Sequence, residues 1–280
     1  MSVTPSPEAE AGTTPASTFP KTVDANFRLR VFAVWASLLA LFIFFFLSFD
    51  LKFGFIIEKL PFLTGLTLTR DGFIQGAALT LFVCFFAIIA SIILGFVSAL
   101  GRLSKSAVFY GISTFYTSFF RGTPLLVQIF LIYLGLPQLG PVPAAVPSGI
   151  IALSLNYGAY LSEIFRSGIM SVSKGQREAG ASLGLHPWVV MWRIVLPQAM
   201  RVVIPPTGSQ FISMLKDSSL ISVMGVWEIM FLAQSFGRTA YRYIEMLVTA
   251  AVIYWILSIC FEIIQARLEA HYGKGFKERH

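Results

Sequence analysis

Two stretches of this chain, Val31–Phe49 and Leu79–Leu100, contain no charged residue, and each is long enough to cross a hydrocarbon layer of ~30 Å as a helix. A water-soluble core has no use for uninterrupted runs of that length. Composition agrees: hydrophobic residues make up 56% of the 280 and charged residues only 12%, about half the usual soluble share of ~25%. The chain therefore reads as an all-α polytopic membrane protein. A soluble globular enzyme, a disordered chain and a disulfide-stapled fold are excluded.

Six spans are expected, at roughly 31–49, 73–101, 107–135, 147–171, 202–220 and 240–264. Residues 1–26 are rich in Pro, Ser, Thr, Ala and Glu and form an expected disordered tail. The segment 27–50 is a retained first span, too long for a signal-peptide core. Asp50–Gly72 is expected as a loop whose charges sum to zero. The basic residues Arg102, Lys105, Lys174, Arg177, Arg193 and Arg201 and the tail 266–280 fall on one side if both termini are cytoplasmic, as the positive-inside rule asks. Arg238 and Arg242 dissent. The net charge of +7 is explained by topology and anionic headgroups, with no aromatic-interleaved patch for nucleic acid. Cys84 and Cys260 sit in apolar runs without metal-ligand spacing and read as core or lipid-facing residues. Ala87, Ser91, Gly95 and Ala99 place a small residue at every fourth position, a groove for another helix of this chain or of a second subunit.

The segment 173–197 is unusual for a loop. Ser173 with Gln176 has the spacing of a capping box. Gly184 stands where a helix ends in a left-handed residue. His186-Pro187 opens a second short helix, and Pro197 is expected to stop or kink it. The result is a helix–turn–helix elbow carrying Trp188, Met191 and Trp192. Such a surface is covered either by a partner protein or by the headgroup layer, and composition leaves both open.

The elbow also carries a longer pattern. Glu178-Ala179-Gly180, then Gly184 after three residues, Ile194 after nine more and Leu196-Pro197 after one resemble the EAA loop of ABC importer permeases, with Gly180 in place of the usual second Ala. Phe120–Gln128, Gly158–Glu163 and Leu215–Leu220 are similar to signatures of the permeases for polar amino acids. The resemblance implies a type I ABC importer transmembrane fold over 73–265, with 173–197 as the helix that couples to an ATP-binding subunit, and leaves 27–50 as an accessory span. It implies a second permease copy or a sister permease, a pair of ATP-binding subunits, an extracytoplasmic amino-acid-binding protein, and a place in the bacterial inner membrane. No G-x-x-x-x-G-K-[ST] phosphate loop occurs. ATP and Mg would thus belong to the partner, and the chain itself is expected to hold no cofactor or metal and to catalyse nothing.

Ionisable and amide side chains at membrane depth are the candidates for a substrate pathway: Arg121, Gln128, Asn156, Glu163, Lys216 and Asp217. Arg121 lies beside Gly122 and Pro124, which weaken the third span. It could meet a carboxylate ligand or close an internal pair with Glu163 or Asp217. Glu163 and Arg166 share a helix face. Lys216 and Asp217 point to different sides and could serve a zwitterion or hold helices together. Gln128 and Asn156 could equally be interhelical glue. The alternative from another class is an ion-coupled carrier or channel acting without an ATPase, which would leave the elbow unexplained.

Overall fold

The computed structural model describes residues 25–48, 51–69 and 71–272. The expected tail up to Asp24, Arg70 and the end of the basic tail from Gly273 lie outside these. The chain divides into two units, Met1–Leu51 and Lys52–His280. In the first, helix α1 (Ala25–Leu47) takes up the expected first span.

The described residues of the second unit form helices joined by short irregular segments, with no β-strand among them. In order it contains α2 (Phe53–Thr64), α3 (Gly76–Arg102), α4 (Ala107–Gly122), α5 (Leu125–Phe130) and α6 (Ala145–Ser171). There follow α7 (Lys174–Ser182), α8 (Pro187–Val190), α9 (Leu196–Asp217), α10 (Ile229–Ala240) and α11 (Tyr243–Tyr272). A π-turn and a 3-10 turn carry α5 on to Leu139.

Three helical stretches of the described residues are long and apolar enough to cross a membrane: Gly76–Arg102, Pro187–Met224 and Tyr243–Ala270. The pair Ala107–Gly122 and Leu125–Leu139 makes a fourth if counted as one span, bent by 109° at Thr123-Pro124. The other two of the six expected spans, 31–49 and 147–171, fall on helices α1 and α6, which do not reach this measure of length and hydropathy. Helix α6 has 27 residues but carries too many polar ones, because it is wrapped by α3, α4, α5 and α9 and needs little apolar surface of its own. Two helices were unforeseen. Helix α2, within the expected loop, was hidden by Pro61 and the adjacent Glu58-Lys59, and α10 lies where no span was expected. Leu63 of α2 packs with Ile229, Leu232 and Ala233 of α10 and Met246 and Ala250 of α11 in one buried cluster.

The central contact is between α3 and α6. Ala87, Ser91, Gly95 and Ala99 are all buried, and their groove faces α6 of the same chain rather than a second subunit. Across the seam stands a matching stripe, Ser154, Gly158 and Ser162. A Cβ added to Gly95 would lie 2.8 Å from the Leu161 Cβ and 3.0 Å from the Gly158 carbonyl oxygen. Backbones this close permit polar contacts between helices. The Ser91 hydroxyl lies 3.2 Å from the Ser154 carbonyl, and Ser162 Oγ donates to Ser98 Oγ at 3.0 Å. Tyr116 of α4 donates to the Leu155 carbonyl at 2.7 Å, filling the space that Gly158 leaves.

Gly95→Val should lower the melting temperature of the detergent-solubilised chain, since overpacking against backbone costs roughly 1–3 kcal/mol. Gly111→Ala, whose new methyl meets nothing within 4 Å, should leave it unchanged or raise it by helix propensity. Equal melting temperatures for wild type and Gly95→Val would show that the seam is looser than the structure has it.

Candidate functional site

The elbow is built from local rules. Ser173 occupies the N-cap of α7 by backbone position, but its hydroxyl makes no cap bond, and Gln176 instead accepts from Gln198 at 3.4 Å. The helix start was read correctly and the capping box was not. At the other end Gly184 has φ +71°, with Gly184 N–H donating to the Ala181 carbonyl and Leu185 N–H to that of Gly180. This is the Schellman arrangement, open to glycine at no steric cost. His186 then caps α8, its Nδ1 accepting from Trp188 N–H at 3.3 Å, and Pro187 fills the first position. Gly180 is buried against Val190 and Ile194. Glu178, Ala179, Leu183 and Trp188 face outward, the last two 79% and 60% exposed.

Pro197 does not end the second helix. A π-turn over Met191–Val195 precedes it, and the chain stays helical from Pro187 to Met224. A proline in a regular helix lacks a donor and crowds the carbonyl four residues back; the wider π-turn accommodates both. Val190, Val195, Leu196 and Ala199 pack with Ile169 and Val172, so α8 and α9 are joined to the end of α6.

The second locus is the break between α4 and α5. Pro124 has no N–H, so the Phe120 carbonyl loses its helical donor, and the 109° bend exposes the Thr123 carbonyl. Buried Gln128 replaces what is lost: its Nε2 lies 2.9 Å from the Phe120 carbonyl and 3.1 Å from that of Thr123. Asn156 of α6 adds a bond to the Phe120 carbonyl and another to Gln128 Oε1, both 3.1 Å. These amides satisfy backbone at depth.

Glu163 of α6 is the meeting point of three arginines. Arg102, the last residue of α3, and Arg166 of α6 both donate to its carboxylate. Arg121 of α4 stands 3.7 Å away and also lies over the Tyr160 ring at 5.4 Å. Of the two carboxylates considered for Arg121, Glu163 is therefore its neighbour. The contribution of Arg102 was missed, since 61 residues separate it from Glu163. At the far end of α9, Tyr157 donates to Asp217 at 2.7 Å, while Lys216 is exposed and forms no ion pair among the described residues. A further acid was overlooked. Glu228 is fully buried, caps α10 by accepting from Met230 and Phe231 N–H, and accepts from Tyr254 at 2.6 Å. Its place just before an apolar helix was the available signal.

Because Gln128 and Asn156 share one carbonyl and bond each other, Gln128→Leu and Asn156→Leu should not add. A double-mutant cycle on thermal stability should give a coupling of ~0.5–3 kcal/mol. Strict additivity would mean that the two amides do not act as one staple.

Residues 87–274 match the family described as binding-protein-dependent transport system inner membrane component. The chain is 42% identical over 207 residues to the probable amino-acid permease protein YxeN of Bacillus subtilis, covering 73% of this chain and 92% of that one. It is 36% identical over 221 residues to the arginine transport system permease protein ArtQ of the same species, covering 79% and 96%. Its fold is similar to a crystal structure of an amino acid ABC transporter with histidines, with a TM-score of 0.70, 33% identity, and coverage of 79% of this chain and 99% of that one. With the long apolar helices and the elbow that carries Glu178–Pro197, these likenesses assign the chain: it is an integral membrane protein belonging to the family of binding-protein-dependent transport inner membrane components, whose relatives are amino-acid ABC transporter permeases.

Proposed function

We propose that this chain is the membrane-spanning subunit of an ATP-driven importer for polar amino acids. It works beside a second copy or a sister permease, with two ATP-binding subunits and an extracytoplasmic amino-acid-binding protein. The observation that carries the reading is the elbow. Glu178, Ala179, Leu183 and Trp188 form an outward surface on a segment whose second half is continuous with α9. Displacement of the elbow by a closing ATPase pair is therefore delivered along one helix, from Pro187 to Asp217 over about 45 Å at ~1.5 Å per residue. Relatives named for arginine and for L-cystine transport support a polar amino acid as cargo.

Lys216 stands at the far end of this lever. An exposed ammonium group at membrane depth requires water or an anionic partner, and the carboxylate of an amino acid supplies one. Asp217, held by Tyr157, is placed next to it with the opposite charge. In this proposal Lys216 and Asp217 line the pathway, whereas Gln128 and Asn156 hold the broken helix and Glu163 ties α3, α4 and α6 together. ATP binding and the loaded binding protein would bias a two-state change between inward- and outward-open arrangements. Arg177 and Arg193 lie in the elbow, and Leu103, between Arg102 and Lys105, packs against it, so the basic residues gather on one side, which supports a bacterial inner-membrane location with the elbow and both termini in the cytoplasm.

Gly184 separates coupling from folding. It is in the left-handed region with nothing within 4 Å of an added Cβ, so a substitution there acts through the backbone. Gly184→Val should uncouple ATP hydrolysis from uptake in proteoliposomes holding the complete transporter, lowering uptake roughly tenfold for a strain of 1–2 kcal/mol. Gly184→Asn, which tolerates that conformation, should retain most uptake. Normal uptake by Gly184→Val would remove the elbow from the coupling path. Uptake by the chain alone, driven by an ion gradient, would replace the importer with a carrier.

A further inference from the structure

The charge on Arg121 lies outside the pathway assigned to Lys216 and Asp217, yet it is at membrane depth. Its guanidinium stands over the Tyr160 ring at 5.4 Å. Tyr160 follows the first residue of α6 by fifteen positions and precedes the last by eleven, about 22 and 16 Å at ~1.5 Å per residue. The charged group itself, and not only its backbone, therefore sits near the middle of a ~30 Å hydrocarbon layer. Its side chain is nonetheless 41% exposed. An exposed cation at that depth faces a water-filled cavity or an anion, since hydrocarbon offers it no partner.

Glu163 does not meet that need. Arg102 and Arg166 both donate to its carboxylate, whereas Arg121 stops at 3.7 Å, beyond hydrogen-bond distance. One negative charge thus faces three positive ones, and no other described carboxylate pairs with these arginines. Arg121 makes no hydrogen bond among the described residues. It opens onto a cavity of about 430 Å³, lined also by Arg102, Thr114, Thr117, Ser118 and Tyr160. The hydroxyls of Ser118 and Tyr160 likewise have no hydrogen-bond partner among the described residues. A guanidinium flanked by two free hydroxyls suits a carboxylate, whose oxygens together accept up to about four hydrogen bonds.

This cavity adjoins the assigned pathway. Tyr157, which donates to Asp217, precedes Tyr160 by three residues on α6, and the two rings are 6.3 Å apart. Arg121 thus lies about one turn, ~5 Å along α6, to the elbow side of the Asp217 contact. A substrate leaving Lys216 and Asp217 for the cytoplasm meets it next.

We infer that Arg121, with the hydroxyls of Ser118 and Tyr160, is a second carboxylate-binding station on the inward half of the pathway, which takes the α-carboxylate of the transported amino acid after Lys216 releases it. The inference rests on the importer reading above. Glu163 is the resting neighbour of Arg121, and its engagement by Arg102 and Arg166 leaves Arg121 free to exchange it for a ligand.

Thiol labelling of the complete transporter in proteoliposomes, without nucleotide, tests this. Cys260→Ser removes the exposed native thiol, while buried Cys84 stays. Ser118→Cys then places a thiol in the cavity for a membrane-impermeant anionic methanethiosulfonate, and it should react. The probe ligand is whichever of glutamine, arginine, histidine and cystine the wild-type transporter takes up with ATP. It should slow the labelling about tenfold, whereas its amide, which lacks the carboxylate, should not. Adding Arg121→Gln should abolish the protection and adding Arg121→Lys should keep most of it. If Arg121→Gln does not fold, the comparison of acid with amide decides. An unreactive thiol, equal protection by acid and amide, or protection unchanged in Arg121→Gln would each overturn this inference alone, provided that wild-type uptake is normal. Absence of wild-type uptake of all four amino acids would overturn the importer reading and this inference with it.

Discussion

The rest of the second unit depends on how closely α3 and α6 approach. Between helices in lipid there is no hydrophobic driving force of the aqueous kind, so association rests on close packing and on hydrogen bonds across the contact. Gly95 and Gly158 bring the two backbones together, and Ser91, Ser154, Ser98 and Ser162 use the proximity for polar contacts. A larger residue on either stripe would separate the helices. It would also move everything that α6 presents to its neighbours: Asn156 to the break, Tyr157 to Asp217 and Glu163 to its arginines.

A second constraint governs the irregular segments. Backbone groups in a membrane find partners within the protein, and irregular backbone survives only where protein or a water-filled cavity supplies them. The two proline sites meet this condition in different ways. At Pro124 the helix turns sharply, and Gln128 and Asn156 provide the missing donors. At Pro197 a π-turn absorbs the disturbance and the helix continues. The first device makes a bend in the interior, and the second keeps a long helix unbroken beneath the elbow.

Local structure was the most legible part. The elbow's boundaries followed from Gly184, His186 and Pro187, whose backbone preferences act within one or two residues. The small-residue stripe on α3 was visible as well, because its four-residue period is a property of one helix. The bond assigned to Ser173 failed for a related reason: a cap depends on a side-chain rotamer, which sequence spacing does not determine. Helices α2 and α10 escaped notice because each has only 12 residues and is stabilised by mutual burial with α11. Helix α6 falls below a hydropathy threshold although its 27 residues are enough to cross, since a helix sheltered by its neighbours can be polar.

By itself the sequence determined that this chain lives in a membrane, that an elbow interrupts its helices, and which family motif that elbow carries. These rest on composition, on backbone dihedral preference and on short-range spacing, all of which are local. Only the tertiary structure decided which helix fills the groove of α3, that Pro197 leaves its helix intact, and that Arg102, Arg121 and Arg166 converge on one carboxylate. Those outcomes join residues up to 67 positions apart. They follow from which surfaces can be buried together, and no local preference carries that information.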